Sequence, residues 1–462
     1  MKRGCVTPLI MSICILLFTL LYIHQITISS FISTSSLRRS TPAAEKRLKV
    51  ETRPRPAAVP SKPAAPATPI ICDRSHEPYD LCTLNAPTLM NPNLSTFSLV
   101  NDNVNHQDTT SPSPPQRTFE KVRPYPRKWE NGIISGIKEI TFTSDPSTDS
   151  CQIQHHAPAL VFSAGGYTGN LFHDFSDGFV PLFLTTRSLF SGVDPVLIVA
   201  NCRDWWLSKY AELLRSFSPY PVINLDNETA IHCFPSATVG LISQGFMTID
   251  PTLLPNKETF LDFRALLQTA YMHHQHLHVS SPSTARPRLV LVGRTGGVSR
   301  VILNQKEVVQ LAKKIGFEVV VFKPTRYTSL SEAYKMINAS HAMMGVHGAA
   351  LTHFLFLRPG SVLVQVVPIG IDWLGEICFG KPARDMGLEY MEYKITVDES
   401  SLVDEYGKDD LVLRNPEAVI KLAWSNTNIY LKNQNVKLDL IRVGVHLKKA
   451  YKKAKRFIEK QG

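Results

Sequence analysis

Short apolar runs bounded by glycine, proline or asparagine recur from residue 159 onward: ALVFS (159–163), VLIVA (196–200), RLVLVG (288–293), EVVVF (318–322), AMMGVHG (342–348) and SVLVQVV (361–367). Helical periodicity lies between them. Leu171, Phe175, Phe179 and Leu182 share a face after a candidate N-cap at Asn170. KEVVQLAKKI runs from Asn304, expected as its cap, to Gly316, and Ser329 with Glu332 predicts a capping box for a helix through Met336. Continuous apolar strands alternating with helices predict a parallel sheet covered on both faces. Pro282–Pro287 divides the rhythm, so the body reads as α/β, with two domains (71–285 and 286–425) facing a cleft. Residues 110–128 read as a Pro- and Arg-rich connecting loop and 426–462 as a basic helical segment; internal repeats at a fixed period are absent.

The N-terminus breaks this pattern. Residues 4–37 hold no Asp, Glu, Lys or Arg, and Leu9–Ile23 is almost wholly apolar. About 20 such residues span a bilayer as a helix, and Lys2 and Arg3 ahead of the run favour a cytosolic N-terminus. The expectation is a cytosolic tail (1–8), a signal anchor (9–28) and a Pro-rich luminal stem (29–70), in a single-pass type II arrangement. A cleaved signal peptide is the rival. Six cysteines then lie on the luminal side, where disulfides persist; Cys72–Cys82 is the first expected pair and Cys202–Cys233 the second. Sequons stand at Asn93, Asn227 and Asn338.

A net charge of +11 on 462 residues suggests a polyanion partner until it is divided by position. Residues 1–62 carry +8, residues 448–462 carry +6, and the body between them carries −3. A basic nucleic-acid groove through the core is therefore not expected.

Three constellations carry candidate chemistry. In GVHGAALTH (345–353) a small-residue turn after a buried strand exposes the N–H groups of Gly348, Ala349 and Ala350 to an anion, with His347 able to donate to a phosphate. The alternative is a tight turn with a structural histidine. In GRTGGVSR (293–300), Arg294 and Arg300 could clamp a diphosphate, or simply line a solvated loop. In NLFHDFSD (170–177), His173 and Asp177 share a helix face as candidate base and orienter, with Asp174 about 100° away and Asn170 at the start; a charged outer face is the plainer reading. HHQHLH (273–278) reads as a solvated helix end rather than a metal tract. Asp-x-Asp occurs nowhere in the chain, and no metal or other cofactor is expected.

SAGGYTGNLFHDFSDGFVPLFLTTR, GRTGGVSRVILNQ and GVHGAALTHFLFLRPGSVLVQVVP resemble, in order and spacing, plant members of glycosyltransferase family 61; so do CDRSHEPYDLC (72–82) and FGKPARDMGLEYMEYKI (379–395). The resemblance spans about 70–445. It implies a GT-B architecture of two Rossmann-like domains, with the nucleotide on the C-terminal one and the acceptor beside the N-terminal one. It implies an inverting, metal-independent transfer from a UDP-pentose to xylan at the Golgi membrane, β-1,2-xylosyl or α-1,3-arabinofuranosyl, with an N-glycan acceptor as a further option. Arg294, Arg300 and His347–Ala350 match the diphosphate motifs, and Asn170, His173, Asp174 and Asp177 fall in the cleft helix. Asp177 is the expected base, with His173 orienting or replacing it. His353 and Gln365 depart from the family pattern, which more often has Asn and Glu there. Association with other Golgi glycosyltransferases is a further expectation, and a non-catalytic Golgi scaffold or glycan-binding protein is the reading from a different class.

Overall fold

A computed structural model describes residues 69–100, 118–272, 286–294 and 298–460. The anchor at 9–28, the stem up to residue 68 and the histidine tract at 273–278 lie outside the described residues. Among the described residues, no helix is long and apolar enough to cross a membrane. From residue 66 on, the chain forms one compact unit.

The architecture is mixed α/β with three sheets. The expected strands Ala159–Ser163 and Val196–Ala200 pair in parallel and are buried at every position, as apolar runs covered on both faces must be. Their sheet is completed by Ala237–Val239, Ile223–Asn224 and the hairpin Ile70–Asp73/Leu81–Leu84. The C-terminal sheet is wholly parallel. Its order is Glu318–Phe322, Arg288–Val292, Ala342–Val346, Val362–Val367, Glu389–Lys394. Its strands end in register, so residues 293, 347, 368 and 395 emerge along one edge. In open parallel sheets, ligands bind at that carboxyl edge.

The remaining sheet was not anticipated. It joins six short strands, among them Thr88–Asn91, Thr96–Leu99, Ile140–Pro146 and Phe119–Val122. The last of these lies in the segment read from sequence as a connecting loop. Five of its strands are two to four residues long and carry too little periodicity to stand out against Pro and Ser; Ile140–Pro146, at seven residues, is the exception.

One apolar core runs between the halves: Phe162, Phe179 and Trp206 belong to the same cluster as Val290, Leu355 and Phe379. A second core lies under the C-terminal helix Leu440–Glu459, whose Val443, Leu447, Ala450 and Ala454 close one face of the parallel sheet. The basic tail is thus half structural: its apolar stripe is core, and its lysines face outward.

Two local expectations are corrected. Cys72–Cys82 forms, but Cys233 pairs with Cys151, leaving Cys202 free and buried. Cys233 lies on His232–Phe234, paired in parallel with Ile153–Gln154, and this puts Cys151 at its side. Asn304 does not cap with its side chain; it exchanges two hydrogen bonds with the backbone of Leu438 (2.7 and 3.0 Å). The apolar segment Ala349–Phe356 after the glycine turn forms a 3₁₀-helix. Of the sequons, Asn93 and Asn227 are exposed, while Asn338 is half-buried and its Oδ1 accepts from Arg264 at 2.7 Å.

Candidate active site

The N-terminal part of the site is set by residues 170–189. Asn170 caps the first turn, its Oδ1 accepting from the N–H of Phe172. A turn of α-helix (Leu171–His173) opens into a π-turn (Asp174–Phe179) before α-helix resumes at Val180–Leu189. Such wide turns are rare and recur at functional sites. Here it divides the two aspartates. Asp174 turns into the core, accepting from Tyr210 Oη at 2.7 Å and from the Gly169 N–H; burial raises its pKa despite these bonds. Asp174 is therefore not a cleft residue, contrary to expectation.

Asp177 is also buried, at 4% exposure, but it is saturated. Its Oδ2 meets Arg127 Nε (2.7 Å), His173 Nδ1 (2.8 Å) and Tyr125 Oη (3.1 Å), and Oδ1 accepts from Arg127 Nη2 (3.2 Å). Burial alone would raise its pKa; the His173 hydrogen bond and the Arg127 charge outweigh that and hold it below the ordinary carboxylate value. An ionised carboxylate can only accept, so the 2.8 Å contact to Asp177 assigns the proton to His173 Nδ1; Arg127 Nη2 lies 3.3 Å from the same nitrogen. Tyr167 stacks on the imidazole (4.4 Å between centroids), and its hydroxyl donates to Glu130 at 2.8 Å. Glu130 also pairs with Arg127.

Tyr125 and Arg127 were missed from sequence. They lie in RPYPRK, where Pro124 and Pro126 hold an extended segment that runs on from Phe119–Val122. Gly166, at φ +60°, makes room for the Tyr125 ring, with which a β-carbon there would collide. The only sequence signal was a tyrosine locked between two prolines with an arginine directly after the second.

The C-terminal part lies at the carboxyl edge of the parallel sheet. Arg294 Nη1 donates to Ser299 O (2.9 Å), and Arg300 Nη1 donates to His347 O (3.0 Å). Both guanidiniums crowd over Gly348, whose φ of +141° and missing side chain let them approach; a β-carbon there would strike Arg294. Neither arginine has a carboxylate among its described partners, and Arg300 Nε is buried without a hydrogen bond. Burial penalises both cations, and Arg294 penalises Arg300 further. Burial, then Arg300 and Arg294, push His347 down to about 3, so its ring is neutral. Its Nδ1 accepts from Gln365 Nε2 (3.0 Å), and Gln365 Oε1 accepts from Tyr390 Oη (2.7 Å). The His347 proton is thereby placed on Nε2. Two uncompensated cations, a neutral N–H donor and a glycine turn make an anion site.

The loop holding Arg300 is completed from far along the chain. Arg300 has left-handed φ (+61°), and its N–H donates to Gln434 O (2.7 Å); the Val301 N–H donates to Asn435 Oδ1 (3.0 Å), and Ile302 bridges Val436. No local pattern announces this.

The two parts meet. Phe379 packs against Phe172 (5.6 Å) on one side and His347 (5.1 Å) on the other. A cavity of about 330 Å³ is lined by Asn170 and Lys209 from one half and by Arg294, Ala349, Ala350 and His353 from the other. His353 is fixed by Ala350 O (2.8 Å), and burial lowers it to about 4. Among the described residues, no cluster of three or more His, Cys, Asp or Glu could hold a metal ion.

The sequence is similar to known proteins. Residues 171–364 fit the family model for Glycosyltransferase 61. The chain is 38% identical to the xylan glycosyltransferase MUCI21 of Arabidopsis thaliana, over 83% of this chain and 80% of that one. It is 37% identical to the alpha-1,3-arabinosyltransferase XAT2 of Oryza sativa subsp. japonica (80% and 62%). It is 36% identical to the beta-1,2-xylosyltransferase XYXT1 of the same plant (71% of each).

Proposed function

Because the chain belongs to glycosyltransferase family 61 and is a glycosyltransferase, we propose that it transfers a pentosyl residue from a UDP-sugar to xylan, with inversion and without a metal ion. Xylosyl transfer in β-1,2 linkage from UDP-xylose is the leading reading. Relatives of 36–37% identity named for arabinosyl and for xylosyl transfer make α-1,3-arabinofuranosyl the second. In this reading the body has GT-B architecture, and the apolar segment at 9–28 anchors it as a type II protein of the Golgi membrane.

The observation that carries the mechanism is that one half holds a His173–Asp177–Arg127 array and the other two uncompensated arginines, with Phe379 packed against both Phe172 beside the array and His347 beside the arginines. Asp177, saturated and stabilised as an anion, is the orienting group, and His173 takes the base role in its place. With Nδ1–H directed to Asp177, Nε2 is the atom that accepts the acceptor hydroxyl proton, as in other histidine bases aligned by a carboxylate. The deprotonated oxygen attacks the anomeric carbon from the face opposite UDP, which gives inversion. Arg294, Arg300 and the His347 Nε2–H offset the charge that grows on the departing diphosphate, the electrostatic work a metal performs in other transferases.

A panel of UDP-xylose, UDP-arabinofuranose and UDP-GlcNAc with xylan and xylo-oligosaccharides, followed by linkage analysis, tests this. The expected result is one pentosyl product, undiminished by EDTA. No transfer from any donor would support a non-catalytic binding protein, and loss in EDTA restored by Mn²⁺ would overturn the metal-free mechanism.

A further inference from the structure

Beside the site, at the same carboxyl edge of the parallel sheet, lies a groove of about 1170 Å³. Its floor starts at Val367, where the strand Val362–Val367 ends, and continues to Ile395 beyond Glu389–Lys394. The neighbouring strand ends at Val346, paired with Val366, so His347 is one strand away. The buried side chain of Gln434 joins the two: it accepts from the Ile369 N–H (3.0 Å), while its backbone carbonyl holds Arg300.

Two features fix what would enter. Trp373 and Trp424 are 42% and 65% exposed, with ring centroids 5.7 Å apart and planes tilted by 54°. A globular chain does not leave two touching indoles in water without use; a paired, concave apolar surface marks a binding site. The charge of the groove cancels. Asp372, Asp398 and Glu417 oppose Lys394, Arg414 and Lys421, and Lys394–Asp372 (3.1 Å) and Lys421–Glu417 (2.6 Å) are already paired. A nucleotide or acidic peptide finds no net field there. A neutral polyhydroxylated chain finds flat indoles for the C–H faces of its rings and a rim of donors and acceptors for its hydroxyls. The volume exceeds the ~300–1,000 Å³ of sites for single small ligands.

We propose that this groove is a polysaccharide subsite: it holds pyranose units of a neutral xylan backbone remote from the reacting residue, with Trp373 and Trp424 as stacking platforms. The proposal rests on the xylan-acceptor reading above, and it accounts for how one residue of a long polymer is held at the base.

The test uses the full chain in detergent with Trp373→Ala, Trp424→Ala and the double variant. Both indoles are exposed, so folding is spared. The KM for polymeric xylan should rise about tenfold per indole, a factor matching roughly 1.4 kcal/mol, while kcat and the KM for the UDP-sugar and for xylobiose stay at wild-type values. Without donor, xylohexaose should perturb tryptophan fluorescence of the wild type and not of the double variant. Wild-type polymer KM in the double variant would overturn the subsite, as would a shift in sedimentation with no change in xylan binding, which would make the patch a protein interface. A wild type that transfers to no xylan would instead overturn the proposed function; the fluorescence titration then decides the groove by itself.

Discussion

Replacing Arg300 with methionine separates a strut from a ligand-binding charge. Without nucleotide, the Arg300 side chain makes one hydrogen bond, to His347 O at 3.0 Å, while its Nε is buried without a partner and Arg294 repels it. Losing a neutral-acceptor bond costs about 1 kcal/mol, and relieving one buried unsatisfied donor returns about 1–3 kcal/mol. The unliganded variant should therefore melt within about 2 °C of the wild type, or above it. The bound state is different. A charge-assisted bond to a phosphate is worth about 1.5–3 kcal/mol, so the UDP Kd should rise roughly 10- to 150-fold. Scanning calorimetry reads both effects. At UDP one hundred times the wild-type Kd, the wild type gains about 2.7 kcal/mol; a variant weakened a hundredfold gains about 0.4 at the same concentration. The UDP-induced rise in Tm should thus shrink about sixfold. A fall of 5 °C or more in the unliganded Tm would make Arg300 a structural strut, and an undiminished UDP shift would remove it from the diphosphate site.

Three further outcomes follow from the geometry. Asp177→Asn should lower kcat about 10²–10⁴-fold with UDP binding intact. It also removes one of the two carboxylates paired with buried Arg127, leaving Glu130, so the cost should stay below the ~3–5 kcal/mol of a fully stranded charge; adding Arg127→Met should recover Tm but not activity, and recovery of activity in the double variant would refute His173 alignment. Gln365→Glu replaces an amide that donates to His347 Nδ1 with a carboxylate that accepts from it. The new charge raises the His347 pKa, so Nε2 keeps its proton at low pH and loses it as pH rises; UDP affinity, flat from pH 5 to 8 in the wild type, should fall across that range in the variant by isothermal titration. Non-reducing peptide mapping should recover Cys72–Cys82 and Cys151–Cys233 with Cys202 and Cys378 alkylated only after unfolding, and Cys151→Ser should cost about 2–4 kcal/mol by denaturant titration.

The parallel sheet and its anion turn were legible because their causes are local. Buried strands are uninterrupted apolar runs, and Gly348 and the paired arginines stand where such strands end. What sequence reading lost depends on contacts remote along the chain. Arg127 reaches Asp177 across fifty residues from a proline-bound segment, and the sheet that includes Thr88–Asn91 and Phe119–Val122 is made, apart from Ile140–Pro146, of pieces too short to show a period. The roles within NLFHDFSD turned on a π-turn, which no 3.6-residue wheel anticipates. Cys233 met Cys151 rather than Cys202 because strand pairing, not sequence proximity, sets its neighbour.

The seam between Arg300–Asn304 and Gln434–Leu438 also has a meaning in time. Translation runs from the amino end, so both arginines and the glycine turn leave the ribosome more than eighty residues before the strip that sets their backbone. Until Gln434 and Asn435 arrive, nothing holds Arg300 in its left-handed conformation, and the core face beneath Leu440–Glu459 stays open to water. A nascent chain that stops short of Gln434 would carry both arginines and the glycine turn without the strip that sets their backbone.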